Sequence, residues 1–140
     1  MALDSTAMAH WEGDLMSGNG STTLTSGAGG PFLVDWKARA EEHHGLTSPE
    51  ELIAAAHSTC FSMSLANGLG KAGTPPDYLD VTATATFVPG EGITAMRLVV
   101  SGKVPGLSDE EFRAAAEHAK QNCPVSKALA GNVPIALEVR

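Results

Sequence analysis

Residues 48–70, SPEELIAAAHSTCFSMSLANGLG, combine a start signal for a helix with a long apolar run. Ser48 is a good N-cap residue, Pro49 suits the first helical position, and Glu51, three residues after Ser48, completes a capping box. Gly70 and the GTPP segment at residues 73–76 are typical of a helix end. The sequence therefore predicts one long helix in the middle of the chain.

The predicted helix is apolar almost all round, since residues 52–69 contain few polar side chains. A helix without a polar face is expected to be buried on all sides. A chain of 140 residues can hardly cover such a helix alone. This pattern therefore predicts an oligomer.

Patterns on both sides of this helix predict an α+β fold. Alternating apolar residues indicate strands, the Gly18-Asn19-Gly20 tripeptide indicates a hairpin turn, and Ser108 begins another helix through a second capping box. The order βββ-α-ββ-α-α-β is expected to form a single domain, residues 1–140. The predicted strands are residues 8–16, 22–25, 32–36, 81–88, 94–104 and 133–139, and the later helices are residues 108–121 and 125–129.

Composition and charge exclude several classes of protein. The chain is 43% hydrophobic and 18% charged, which is typical of a globular protein. Its net charge of −7 argues against binding to nucleic acid or to an anionic membrane face. No apolar run is long enough to span a bilayer, and the first residues lack the pattern of a secretory signal. We therefore expect a cytoplasmic protein.

Cys60 and Cys123 are the only cysteines, too few for a disulfide-stapled secreted scaffold. In a reducing compartment, such a pair serves packing, metal binding or redox chemistry. Cys60 lies in mid-helix among apolar residues, where a thiol is inert unless a cation is supplied. Cys123 precedes Pro124 at a helix start, where unpaired N–H groups favour a thiolate. Simple packing would also fit each cysteine.

Arg39 and Glu50 are candidates for activating a buried thiol. A carboxylate holds a guanidinium in a fixed bidentate pose, and the guanidinium then stabilises a thiolate. Glu50 and Cys60 are ten residues apart, or about 15 Å along a straight helix. An Arg39–Glu50 pair that serves Cys60 is therefore expected to come from a second subunit. A surface ion pair near a helix start would explain the same two residues.

Two other functions remain open at this point. His57, Cys60, His118 and Cys123 form a possible zinc set, although their spacings are loose for one. Alternatively, the protein is a non-enzymatic binding module in which the apolar helix lines a ligand pocket and the cysteines only pack.

Four stretches resemble the OsmC/Ohr family, and most closely its OsmC branch. AHWEGDL at residues 9–15 is similar to the first strand of the family, and SPEELIAAAHSTCFSM at residues 48–63 to its central helix. NCPVSKAL at residues 122–129 is similar to the segment that holds the second cysteine. Arg39, in WKARAEE, lies where the OsmC branch carries its own arginine. The resemblance spans nearly the whole chain.

The resemblance implies an intertwined α+β homodimer, with antiparallel sheets around a long central helix and two active sites at the dimer interface. It implies a peroxidase that uses no metal, haem or flavin and prefers organic hydroperoxides to hydrogen peroxide. Apolar residues around the nucleophile would then suit organic substrates; the candidates are Phe61, Met63 and Leu65.

The family also implies a role for each site residue. Cys60 would attack the peroxide and become a sulfenic acid, and Cys123 would condense with it to form a disulfide. Arg39 and Glu50 would hold the thiolate ready. An external dithiol, of lipoyl type, would then restore the reduced enzyme.

Overall fold

The computed structural model describes all 140 residues and contains six strands and four helices. The order confirms the α+β plan, with one helix more than predicted. No helix is both long and apolar enough to cross a membrane. The elements are β1 (Ala7–Glu12), β2 (Asn19–Leu24), β3 (Phe32–Asp35), α1 (Trp36–Ala40), α2 (Pro49–Lys71), β4 (Tyr78–Val88), β5 (Gly92–Lys103), α3 (Asp109–Asn122), α4 (Pro124–Leu129) and β6 (Ile135–Val139).

Contacts divide the chain into two compact units, Met1–Leu52 and Ile53–Arg140. The first contains β1 to α1 and the first residues of α2, and the second contains the rest of α2 and all later elements. That both units form a single domain stays a prediction.

The first unit is built on an antiparallel sheet in the order β1-β2-β3. The predicted turn at Gly18-Asn19-Gly20 is wrong, because Asn19 already pairs with Glu12 in the ladder. The chain reverses earlier, where the Asp14 carboxylate accepts hydrogen bonds from the Met16 and Ser17 amides and the Ser17 hydroxyl. A short acidic side chain that bonds the backbone ahead of it stabilises such a turn.

Helix α1 was not predicted, since the pattern continued β3 through Trp36. The side chain of Asp35 accepts a 2.6 Å hydrogen bond from the amide of Ala38 and so caps a short helix instead. An aspartate in this position satisfies an amide that the first helical turn leaves unpaired. The helix carries Arg39.

Helix α2 begins at the predicted residue. The Ser48 hydroxyl accepts a 3.1 Å hydrogen bond from the Glu51 amide. The Glu51 carboxylate, however, accepts from the Thr47 hydroxyl, so only half of the predicted capping box forms. The Glu51 carboxylate is thus bonded at the start of the helix, and Glu50 remains the candidate site residue.

The second unit contains a mixed sheet. β4 and β5 form an antiparallel hairpin, but β6 pairs with β5 in parallel. Parallel neighbours need a crossover connection, and here α3 and α4 supply it. β4 begins three residues earlier than predicted, because Tyr78 pairs with Lys103 at the end of β5.

One face of α2 enters the core of the second unit. His57, Phe61, Leu65 and Leu69 follow one another at helical spacing, and each is at most 1% exposed. Phe61, Leu65 and Leu69 pack in a cluster with residues of β5 and α3. The single chain leaves another face of α2 uncovered, as the sequence argument expected, since Met63 is 68% exposed. One layer of sheet and helix covers only one side of α2.

We expect Leu65→Ala to lower the free energy of unfolding by about 2–5 kcal/mol, because it leaves a cavity in this core. Leu3→Ala removes the same atoms from a residue that is 91% exposed and should change stability by less than about 0.5 kcal/mol. Urea unfolding of both variants measures the difference. Equal losses would show that the buried face of α2 does not hold the fold.

Candidate active site

The structure brings the two cysteines together within the second unit. Cys60 is half-buried in the middle of α2, and Cys123 is fully buried where α3 ends and α4 begins. No disulfide joins the two sulfurs in this structure, and the Cys123 thiol lies next to Cys60. The pairing that the resemblance implied is therefore present as a contact between two free thiols.

The surroundings of Cys60 raise the pKa of its thiol above the ordinary value. Burial is the largest cause, because it disfavours the charged thiolate. A hydrogen bond from the backbone amide of Val125 acts in the opposite direction, and the neighbouring Cys123 thiol raises the pKa further. No cation contributes to the shift. The cation that the sequence argument expected beside Cys60 is thus not among the groups that set its pKa in this structure.

An amide at the start of α4 donates a hydrogen bond to Cys60, not to the predicted Cys123. We expected its unpaired amides to favour a thiolate at Cys123. Instead, the side chain of Cys123 makes no capping hydrogen bond, and the Val125 amide points to Cys60. Cys123 is the N-cap residue of α4, and its sulfur lies next to Cys60. The Val125 amide, two residues further on, therefore reaches the Cys60 thiol instead.

A cleft of about 460 Å³ opens beside Cys60. Met63 and Pro124 give it apolar walls, and polar groups complete the lining. A cleft of this kind admits a small organic molecule to the sulfur. The polar and charged lining residues are Ser64, Asn67, Lys71, His118 and Asn122.

Only one of the three predicted apolar residues lies in this cleft. Met63 follows Cys60 by three positions and shares its face of α2. Phe61 and Leu65 are 0% exposed and belong to the core. Because each residue turns a helix by about 100°, the neighbour of Cys60 in sequence points away from it.

Arg39 and Glu50 form a tight ion pair in the first unit. Nε of Arg39 lies 3.1 Å from Oε1 and 3.3 Å from Oε2 of Glu50, and Nη2 lies 2.8 Å from Oε1. Glu50 is only 5% exposed and lies in the first turn of α2, where a helix favours negative charge. The fixed, bidentate pose is the one that the sequence argument required.

Arg39 also lines a smaller cleft in the first unit. This cleft has a volume of about 250 Å³ and is mostly apolar. The cleft combines the Arg39 guanidinium with aromatic and aliphatic walls. Such a cleft suits an organic molecule that also carries a negatively charged group. Its other lining residues are Trp11, Leu15, Val34, Asp35, Trp36 and Pro49.

His57 makes a hydrogen bond inside the core of the second unit. Its imidazole is fully buried, and its Nε2 lies 2.8 Å from the hydroxyl oxygen of Ser126. The structure contains no group of three or more His, Cys, Asp or Glu side chains arranged to hold a metal ion. The proposed zinc set therefore does not assemble. The sequence analysis did not predict the contact with Ser126. A signal for it was present, because His57 precedes Cys60 by three residues and Ser126 follows Cys123 by three, so a pairing of the cysteines would also bring these two residues close.

Burial lowers the pKa of His57 below its ordinary value of 6.5. The folded protein keeps this side chain neutral, whereas the unfolded chain protonates it near its ordinary pKa. Stability is therefore present above that pKa and is lost as the pH falls toward the folded pKa. On acidification from about pH 7.5 to about pH 5.5, the Tm of the wild type should fall by a few degrees more than that of His57→Gln. Equal falls in both proteins would show that His57 does not couple folding to pH.

Known proteins resemble the chain in sequence and in fold. The model of the family "OsmC-like protein" matches residues 41–138. The chain is 36% identical to Peroxiredoxin OsmC of Escherichia coli (strain K12), over 100% of this chain and 99% of the relative. It is 32% identical to Organic hydroperoxide resistance protein OhrA of Bacillus subtilis (strain 168), over 72% of each protein.

A solved structure agrees with this result. The crystal structure of the organic hydroperoxide resistance protein OhrB of Bacillus subtilis superposes with a TM-score of 0.71 and 25% identity, over 96% of this chain and 98% of that one. Family model, full-length identity and fold thus agree with the residues of the paired-thiol site: the chain belongs to the OsmC family.

Proposed function

We propose that this protein is a thiol-dependent peroxidase that reduces organic hydroperoxides to alcohols and acts more weakly on hydrogen peroxide. The direct interaction of Cys60 with Cys123, beside a cleft that admits a small organic molecule, carries this proposal. Relatives named peroxiredoxin and organic hydroperoxide resistance protein support it.

The first chemical step takes place at Cys60. Its thiolate sulfur attacks the distal oxygen of the hydroperoxide, so that an S–O bond forms and the O–O bond breaks. The remaining alkoxide takes up a proton and leaves as the alcohol. The sulfur is oxidised to a sulfenic acid, and the peroxide is reduced. The half-buried position of Cys60 supports this role, because the peroxide must reach the sulfur.

The second step uses Cys123. Its sulfur attacks the sulfenic sulfur of Cys60, an S–S bond forms, and the oxygen leaves as water. Cys123 is fully buried, so the resolving thiol is protected from the peroxide itself. A dithiol of lipoyl type would then reduce the disulfide and become a disulfide in turn. Such a cycle suits the reducing cytoplasm, where we expect the protein.

Arg39 supplies the positive charge in this proposal, and Glu50 holds it in place. The raised pKa of the Cys60 thiol supports the need for a cation. The bidentate contact between the two side chains supports the role of Glu50. A guanidinium near the sulfur would lower the pKa of the thiol and polarise the O–O bond.

A homodimer would supply Arg39 from a second chain. Exposed apolar side chains support a dimer, since patches of this kind are typical of interfaces between proteins. All six residues of β1 are exposed, and Met63 on α2 is exposed as well. The exposed apolar residues of β1 include Met8 and Trp11, and others in the first unit include Leu15, Met16 and Leu33.

A pulse of cumene hydroperoxide tests the roles of the two cysteines. One equivalent should remove both thiols of the wild type and form the Cys60–Cys123 disulfide. Cys60→Ser should keep its remaining thiol, and Cys123→Ser should stop at a sulfenic acid, which dimedone traps. Thiol titration and intact mass measure these products. Survival of both thiols in the wild type would refute the peroxidase, and the binding module would then be the better explanation.

Mixing two inactive variants tests the role of Arg39 and its origin. Arg39→Gln should lower the rate of Cys60 oxidation about a hundredfold, the effect of two pKa units on the thiolate fraction. Lys37→Gln removes a charge from the same helix and should keep the wild-type rate. If Arg39 acts from the second chain, refolding Arg39→Gln together with Cys60→Ser restores about one quarter of the wild-type rate, because half of randomly paired dimers contain one complete site.

The outcomes of the mixing experiment are distinct. No recovery on mixing would show that Arg39 acts within its own chain.

Removal of Arg39 also leaves the buried Glu50 unpaired and destabilises the fold. The double variant Arg39→Gln/Glu50→Gln avoids that charge and should show the same loss of rate. A wild-type rate in this double variant would refute a role for the pair.

A further inference from the structure

A second contact joins α2 to α4, one helical turn away from the thiols. Nε2 of His57 lies 2.8 Å from Oγ of Ser126. His57 precedes Cys60 by three residues on α2, and Ser126 follows Cys123 by three residues on α4. Residues at this spacing are neighbours on one helix face. The imidazole–hydroxyl contact therefore runs beside the contact between the two sulfurs.

Packing alone does not explain this pair. His57 is 0% exposed and Ser126 is 3% exposed. The second ring nitrogen of His57, Nδ1, is also buried and has no hydrogen-bond partner. An unpaired polar atom in a core is destabilising, whereas an apolar side chain of similar shape would fill the same space without that cost. The side chain is therefore better explained by what its other nitrogen does for α4.

Helix α4 needs a constraint of this kind. It has only six residues, and Cys123 stands at its first end as the hinge after α3. At this end, α4 meets α2 through Cys123 and through the Val125 amide, and both lie next to Cys60. The His57–Ser126 hydrogen bond adds a contact one turn further along, and contacts at two levels of α2 restrict the rotation of a short helix.

We propose that His57 and Ser126 are positioning residues for disulfide formation, which keep the sulfur of Cys123 aligned with that of Cys60. This inference rests on the proposed peroxidase function. After the first step, two reactions compete for the sulfenic acid of Cys60. In one, Cys123 attacks, the S–O bond breaks, an S–S bond forms, and water leaves.

In the competing reaction a second hydroperoxide oxidises the sulfenic acid. One oxygen is transferred to sulfur, the O–O bond breaks, and a sulfinic acid and an alcohol result. Accurate alignment of Cys123 favours the disulfide, because an intramolecular step depends strongly on the orientation of the reacting atoms. Loss of the His57–Ser126 contact should therefore divert Cys60 to the irreversible product.

The ratio of sulfinic acid to disulfide measures this competition directly. Both products come from the same sulfenic acid, so their ratio does not depend on how fast that acid forms. His57→Leu and Ser126→Ala should reach equal amounts of the two products at about a tenfold lower concentration of cumene hydroperoxide than the wild type, as a tenfold slower disulfide step requires. Intact mass at a series of peroxide concentrations gives the ratio.

Two further variants separate positioning from stability. Leu69→Ala removes a core residue two turns or more beyond Cys60 on the same helix, so it lowers the Tm but should leave the product ratio unchanged. His57→Gln places an amide nitrogen close to the position of Nε2 and should restore a ratio near that of the wild type.

Wild-type product ratios in both His57→Leu and Ser126→Ala would overturn the positioning role while leaving the peroxidase intact. An equal shift in Leu69→Ala would overturn it too, because the cause would then be general loss of stability. An equal shift in His57→Gln and His57→Leu would exclude the hydrogen bond as the cause. Failure of the proposed function looks different, since the wild type itself would then form neither product.

Discussion

The packing of one face of α2 in the core of the second unit sets the direction in which Cys60 points. Phe61 and Leu65 are fully buried four residues apart, next to Cys60, and they fix the rotation of this part of the helix about its axis. Cys60, one position before Phe61, is thereby turned to the edge of the core. It lies there half-buried, next to Cys123 and open to a cleft. A different rotation of α2 would separate the two sulfurs.

The electrostatics of the two units are complementary in the proposed mechanism. The second unit holds the sulfur in surroundings that raise the pKa of the Cys60 thiol, chiefly because burial disfavours the thiolate. The first unit holds a guanidinium in a fixed pose against a buried carboxylate. In the proposed mechanism, the Cys60 thiol becomes reactive once this positive charge is supplied.

Several features of the chain could be predicted because they depend on neighbouring residues. The start of α2 at Pro49 follows from Ser48, and the start of α3 follows from the capping box of Ser108 and Glu111, which forms in full. The turn after β1 also depends on neighbouring residues, but the prediction placed it too late in the chain. The prediction placed Asp14 in the strand and the turn on a glycine-rich tripeptide, but the side chain of Asp14 accepts three hydrogen bonds that close the turn earlier.

The sequence by itself determined the α+β plan and the family, and it suggested the residues of the proposed chemistry. Local patterns and a full-length resemblance are sufficient for these, since both can be recognised along the chain. The tertiary structure alone decided which groups meet. It turned the Val125 amide to Cys60, buried His57 against Ser126, and placed Phe61 and Leu65 in the core instead of the cleft. The physical reason is that such contacts join residues far apart in the chain, and they depend on helix rotations that only packing fixes.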